Sequence, residues 1–360
     1  MIKNLLIVGT RPNYIKAFSL SNIFEKNNVN YKIVVINQHF NKNLSEIFID
    51  DFFYKKKLIK LNFIAKSRNE LAYKIYLKLS ECINKHNPKN IFIFGDVDTS
   101  LHSAICAKNL KKKIIHIESG LRSFDNEMPE ETNRIFIDKI SDVKFYTEKS
   151  AFINLKKEKL IKNSFFVGNT MIDALKLIIS KNQKKIINPF KSKDKKNIYI
   201  TLHRPSNVDN KIRLIKILKF LKFLSKNYSI HFSIHPRTKL NIDKFKLNYL
   251  LKKINILKPT NYLNNINLMI FSDLIITDSG GMQEELAYLG CPFIALRKNT
   301  ERPVALNNKN SFLCNKIDNT ELSLKINMII SKKKQNKIKF WDGLSADRIF
   351  KILRKKINLI

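Results

Sequence analysis

The sequence predicts an α/β protein made of two doubly wound, Rossmann-like parallel sheets, which facing each other would form a cleft. Three observations carry this. Short apolar runs alternate with longer stretches of helical pattern; the alternation breaks off in a polar segment and then restarts; and glycines stand at the ends of the apolar runs, where a strand turns into a loop or helix. Strands that are apolar on both faces and separated by helices are the signature of βαβ units. A chain of 360 residues suits two domains of about 150 residues or more each.

In the first half, 5–8, 31–36, 91–94, 114–117 and 143–146 read as buried strands with helical pattern between them. In the second half, 198–202, 230–234, 254–257, 274–277 and 293–296 repeat the scheme. Between them 181–197 is rich in Lys and Asn, contains Pro189 and has no clear period, so the connection falls between 167 and 197. This gives an N-terminal domain over 1–168, a C-terminal domain over 169–339, and an amphipathic helix over 340–360 that begins near the only tryptophan, Trp341. No repeat of tandem type is evident.

The net charge is +37, carried by 67 Lys and Arg against 30 Asp and Glu. Such an excess suggests a polyanion as partner. Only eleven of the cations are Arg, however, and the chain is also rich in Asn and Ile and poor in Gly, with 8. This is the mark of compositional drift, whereas nucleic-acid surfaces favour Arg in clustered stripes. No nucleic-acid partner is therefore expected, and the run at 332–339 reads as a solvated face. No apolar run approaches the roughly 18 residues of a membrane helix. The opening segment, too short for a signal sequence, reads as a first strand. Cys82, Cys106, Cys291 and Cys314 show no Cys-x-x-Cys spacing, consistent with reduced thiols in the cytoplasm.

Residues that resist the drift are informative. After the first strand, Gly9-Thr10-Arg11-Pro12-Asn13-Tyr14-Ile15-Lys16 is neither a Gly-x-Gly-x-x-Gly nor a Walker loop, which removes the main support for nicotinamide or nucleoside-triphosphate chemistry. Arg11 and Lys16 can meet a phosphate at a helix N-terminus; the alternative is a tight turn with solvated cations. Gly95-Asp96-Val97-Asp98 places Asp96 at a strand's carboxyl end, with Asp98 as the expected cap of the next helix. His116-Ile117-Glu118-Ser119-Gly120-Leu121-Arg122, followed by Pro129-Glu130-Glu131-Thr132-Asn133-Arg134, puts Glu118 at a strand end and Glu131 at a helix start. Carboxylates in different surroundings can divide acid and base work; an Arg-Glu network holding the loop is the structural alternative. Further on, His203-Arg204-Pro205 ends a strand, and Asp278-Ser279-Gly280-Gly281 opens a helix whose bare amides suit a pyrophosphate. Glu285 lies over one turn into that helix, where it can accept from ribose hydroxyls. Thr300-Glu301-Arg302-Pro303 follows the last strong strand.

In this order and spacing, together with His235-Pro236-Arg237, these segments resemble the non-hydrolysing UDP-N-acetylglucosamine 2-epimerase family over nearly the whole chain. The resemblance implies a GT-B-like fold, a sugar-nucleotide cleft between domains, and a final helix that packs back on the first domain. By position, Asp96, Glu118, Glu131 and His203 match the family's catalytic residues, and Arg11, Lys16, Ser279, Gly280, Gly281, Glu285 and Arg302 its substrate-binding ones. Gln38, His39, Arg68 and His235 resemble parts of its activator site, which takes UDP-N-acetylglucosamine. Asn265 departs from the pattern, standing where an apolar or aromatic residue is expected near the uracil; 309–311 replaces a Gly-containing stretch.

The activity implied is reversible C2 epimerisation of UDP-N-acetylglucosamine to UDP-N-acetylmannosamine, by loss and re-addition of UDP through a 2-acetamidoglucal, with no cofactor and no metal. Carboxylates near C2 and cations around the departed diphosphate are what that route needs. A cytoplasmic homodimer is the expected form. Alternatives are a C2 epimerase of a related UDP-2,3-diacetamido uronate, a hydrolysing 2-epimerase, and a GT-B glycosyltransferase, which would need an acceptor.

Overall fold

The alternating pattern folds as two sheets in which every pairing is parallel. The structure is a computed structural model and describes residues 2–38, 57–190, 194–258, 260–306, 310–332 and 337–360. The chain divides into two units, one comprising 1–178 and 339–360, the other 179–338.

Unit 1 runs β1 (Asn4–Val8), α1 (Arg11–Lys26), β2 (Tyr31–Gln38), β3 (Leu58–Phe63), α2 (Arg68–His86), β4 (Asn90–Phe94), α3 (Asp98–Asn109), β5 (Lys113–Ser119), α4 (Pro129–Ile140), β6 (Val143–Tyr146), α5 (Lys149–Lys157), β7 (Ser164–Phe166) and α6 (Thr170–Lys181). Its sheet has the order β3-β2-β1-β4-β5-β6-β7. β1 and β4 are buried along their whole length, as near-continuous Leu, Ile, Val and Phe runs require. The order reverses beside β1, so the carboxyl ends of β1, β4 and β5 lie together where a doubly wound sheet binds ligands.

Unit 2 runs β8 (Asn197–Leu202), α7 (Pro205–Val208), α8 (Lys211–Leu224), β9 (Ser229–Ile234), α9 (Pro236–Lys244), β10 (Asn255–Leu257), α10 (Tyr262–Phe271), β11 (Leu274–Thr277), α11 (Gly280–Leu289), β12 (Phe293–Ala295), β13 (Ser311–Leu313) and α12 (Asn319–Ile329). Its order is β10-β9-β8-β11-β12-β13. Its core joins Ile198, Ile200, Phe232, Leu274, Ile276 and Ile294 to the inner faces of α8 and α12.

The chain then returns to unit 1 with α13 (Ser345–Lys355). This helix is shorter than the 340–360 pattern because Trp341 is drawn into a buried turn, donating from Nε1 to Thr147 O at 3.2 Å. Ala346, Ile349, Phe350 and Leu353 form its buried face, and α13 packs on α1. The division falls inside α6, past the 168/169 boundary read from sequence. Met171, Ile172 and Leu175 are buried in its first turns, and Asp173 accepts from Ala346 N at 2.6 Å at the head of α13. Three strands escaped the sequence reading: β3, β7 and β13. β3 is half exposed and carries Lys60 and Asn62, while the other two have only three residues each. Among the described residues no helix is long and apolar enough to cross a membrane, and the four cysteines are free and buried.

Candidate active site

In unit 1 the β1–α1 turn aims two residues of one helical face at the end of β4. Asn13 Nδ2 donates to Phe94 O at 2.5 Å, and Lys16, one turn further along, forms a buried ion pair with Glu118. Gly95, at φ +62°, lies under both: a Cβ there would sit 3.5 Å from Asn13 Nδ2 and 3.6 Å from Lys16 Nζ. Glu118 itself has φ +75°, at the point where the β5–β6 register shifts. A left-handed backbone on a residue with a side chain costs of order 1 kcal/mol or more, and such strain gathers at functional positions.

Arg134 of α4 joins the other two carboxylates, donating from Nε to Asp96 Oδ2 at 3.0 Å and pairing with Glu131. Glu131 also accepts from Ser123 N at 2.8 Å, Ser123 Oγ at 2.7 Å and Phe124 N at 3.0 Å. Its carboxylate thus clasps the 123–124 loop, while Asp96 keeps a side chain 21% exposed. Asp98 is not the cap expected from sequence: Val97 occupies that position, with no side-chain bond. Asp98 is instead the first helical residue, and its carboxylate takes Arg68 at 2.9 and 2.5 Å and Asn133 at 3.0 Å. Desolvation would raise its pKa, but the Arg68 and Asn133 bonds outweigh this and hold it below the usual carboxylate range. Arg68 is therefore engaged at an exposed rim. Gln38 ends β2, and His39 lies outside the described residues.

In unit 2 the organising group is Asp278, fully buried at the end of β11. Its carboxylate accepts from His203 N at 3.0 Å, Arg204 N at 3.0 Å and Asn207 Nδ2 at 3.1 Å, and His203 Nδ1 lies 3.2 Å from it. The imidazole of His203 is thereby turned by a buried acid, as an acid-base histidine needs. His235 caps α9, accepting at Nδ1 from Arg237 N at 3.2 Å, with its ring centroid 5.5 Å from that of His203. Desolvation of the ring, with the His203 imidazole beside it, pushes its pKa down to about 4.

Ser279 is the N-cap of α11, its Oγ accepting from Met282 N at 3.4 Å. Beneath the first turn of that helix lies a buried cluster of alternating charge: Arg302 pairs with Glu284 at 2.7 Å and with Glu301, which also takes Arg297 at 2.7 Å. A Cβ on Gly280 would come 2.7 Å from Glu301 Oε1 and 3.0 Å from an Arg302 guanidinium nitrogen. Glycine is needed there for the protein's own cluster, whatever the ligand. Glu285 is buried and accepts from the Tyr262 hydroxyl. Asn265, the departure noted above, accepts from the Tyr199 hydroxyl at 2.8 Å and so is satisfied internally.

Sequence reasoning did not single out Asp278, Tyr262, Arg297 or Glu301 as site residues. Arg297 carried a signal, being one of the few arginines retained in a lysine-rich chain and standing just after β12.

Two parallel doubly wound units with acids, imidazole and guanidinium groups gathered at strand carboxyl ends make this a GT-B-like α/β enzyme. A family model described as UDP-N-acetylglucosamine 2-epimerase matches residues 21–354. The chain is 37% identical over 363 residues to the UDP-N-acetylglucosamine 2-epimerase of Methanocaldococcus jannaschii, covering 98% of this chain and 99% of that one. It is 33% identical to the UDP-2,3-diacetamido-2,3-dideoxy-D-glucuronate 2-epimerase of Pseudomonas aeruginosa, covering 83% and 85%. The solved M. jannaschii enzyme in complex with UDP-GlcNAc and UDP matches the fold with a TM-score of 0.86 at 36% identity, covering 98% of this chain and 99% of that one. The chain belongs to the UDP-N-acetylglucosamine 2-epimerase family and is an epimerase, hence an isomerase.

Proposed function

We propose that the protein interconverts UDP-N-acetylglucosamine and UDP-N-acetylmannosamine by elimination and re-addition of UDP. The observation that carries this is the set of three acids in unit 1, Glu118 at a strand end on Lys16, and Asp96 after β4 with Glu131 of α4, both on Arg134. A carboxylate takes the C2 hydrogen as a proton, the C2–H electron pair forms the C1=C2 bond, and the C1–O bond breaks with its pair leaving on UDP. The 2-acetamidoglucal then receives a proton on the opposite face of C2 while UDP adds back to C1. Asp96 and Glu118 are the proton carriers, with Glu131 fixing Arg134 and the loop beside them. In unit 1, Arg11 and Lys16 supply positive charge beside the acids; in unit 2, His203, Arg302 and the amides at Ser279, Gly280 and Gly281 stabilise the charge that grows on the diphosphate, and Glu285 accepts from the ribose.

Proton NMR in deuterium oxide tests the route. UDP-N-acetylmannosamine should form from UDP-N-acetylglucosamine with deuterium at C2 and without added acceptor or NAD. Epimer without solvent deuterium excludes the glycal, and free UDP released in step with turnover indicates hydrolysis instead.

The likeness to the Pseudomonas enzyme favours one second reading, C2 inversion of a UDP-2,3-diacetamido uronate, with the same acids acting on a charged sugar. Comparing kcat/KM for the two UDP-sugars decides between them. The functional form is proposed to be a homodimer, supported by exposed Tyr73, Tyr76 and Leu77 on α2 and Ile105 on the adjoining α3; sedimentation of the purified protein as a monomer at micromolar concentration rejects it.

A further inference from the structure

Behind the strand ends of unit 1 lies a charged group that the reaction above does not use. His116 on β5 and Asp138 on α4 are both completely buried, with Nδ1 2.7 Å from Asp138 Oδ1. The other ring nitrogen, Nε2, lies 3.0 Å from Gly95 O. A carbonyl can only accept, so Nε2 carries a hydrogen and donates. Asp138 Oδ2 accepts from Gly120 N at 2.9 Å and lies 2.8 Å from Arg122, itself held by Glu158 through two bonds of 2.7 Å. Desolvation would raise the Asp138 pKa, but His116, Arg122 and the Gly120 amide outweigh it and keep the group below the ordinary carboxylate range.

The two backbone groups held in this way are not arbitrary. Gly95 precedes Asp96, and Gly120 stands two residues past Glu118. The β4–β5 ladder has its last pair at Phe94 and Ile117, and Gly95 N donates to Ile117 O at 3.1 Å. Beyond that point no strand pairing sets the distance between the two acids, and both glycines have turned to positive φ, +62° and +80°. A buried ion pair adds little net stability over apolar packing of the same volume, so stability alone does not account for the group.

We propose that His116 and Asp138 are positioning residues, a buried strut between Gly95 O and Gly120 N that fixes the separation of the Asp96 and Glu118 carboxylates. The strut rests on the reading of those acids as proton carriers and touches no substrate itself. Misplacing a reacting group by about 1 Å can lower a rate about a hundredfold.

The test compares His116→Leu, which fills the space without a donor, with His116→Gln, whose amide can donate in place of Nε2. The Leu variant should keep its UDP affinity by calorimetry and its KM, and lose kcat by about thirtyfold to a hundredfold; deuterium entry at C2 should slow by the same factor. The Gln variant should recover a large part of that loss. Equal kcat in the two variants, or a loss that appears in KM, overturns the strut. If the Leu variant fails to fold, the isosteric Asp138→Asn serves, with the same expected fall in kcat at unchanged UDP affinity; wild-type kcat there overturns it equally. Wild-type protein that epimerises without C2 exchange refutes the proton-carrier reading before any variant is made, and the strut with it.

Discussion

Replacing Glu118 by Gln tests the site's electrostatics and its chemistry separately. The carboxylate and the Lys16 ammonium are buried with side chains 3% and 4% exposed. Removing one member of such a pair leaves the other charge in a poorly solvated place, at a cost of about 3–5 kcal/mol. The glutamine oxygen can still accept from Lys16, so the lower end, about 3 kcal/mol, is expected. Lys16→Met in the same chain removes the stranded charge and should restore most of that stability, because Met fills the volume of the lysine stem. Turnover should not follow. If Glu118 carries the proton as proposed, Glu118→Gln should lower turnover about a hundredfold or more, and the double variant should stay as low. Denaturant midpoints of wild type, both single variants and the double variant, followed by near-ultraviolet dichroism, give the coupling energy; C2 deuterium exchange gives the chemistry. A Glu118→Gln protein as stable as wild type, or a double variant that regains turnover together with stability, refutes this reasoning.

Gly280→Ala places a methyl 2.7 Å from a Glu301 oxygen that two arginines pin in place, so α11 must shift and UDP affinity should fall about tenfold; calorimetry showing wild-type affinity would contradict this. Burial pushes the Asp173 carboxyl up from 3.8 to about 6. The folded state therefore binds the proton more tightly, and the stability this gives is complete below the ordinary value and is lost as pH rises through about 6. Asp173→Asn should accordingly be more stable than wild type at pH 8, by up to about 3 kcal/mol, and little different at pH 4; the same difference at both pH values rules the explanation out. The net charge of +37 should give only weak, sequence-independent DNA binding that disappears by about 0.2 M salt; tight selective binding at that salt would overturn the drift reading.

Most strands could be read because parallel, doubly buried strands leave unbroken apolar runs, as in 274–277, where β11 has the expected bounds. β3 was missed because its half-exposed face carries Lys60 and Asn62 between Ile59, Leu61 and Phe63, so it alternates and lacks the unbroken apolar run by which the other strands were read. Within the site, residues at strand ends were visible from the glycines beside them. Partnership was not. Nothing in Gly-Asp-Val-Asp says that Arg68, thirty positions upstream, takes Asp98, or that Asp138, inside an ordinary amphipathic helix, reaches back to His116 and Gly120. The first pairing joins the heads of α2 and α3 and the second comes from the βαβ crossover that brings α4 against β5, and local pattern carries no record of either.

Helix α13 belongs to unit 1, although the whole of unit 2 separates it in the chain from α1, on which it packs. Unit 2 is continuous and can complete its core as soon as it has left the ribosome. Unit 1 cannot. Until α13 arrives, the outer side of α1 lacks its cover of Ile349, Phe350 and Leu353, and Asn90 lacks the Leu359 carbonyl that its amide donates to at 2.9 Å. The unit that holds Asp96 and Glu118 is thus finished after unit 2 during synthesis, and a nascent chain stalled before residue 345 should carry a folded second unit and an unsealed first one, the state in which chaperones and proteases would meet it.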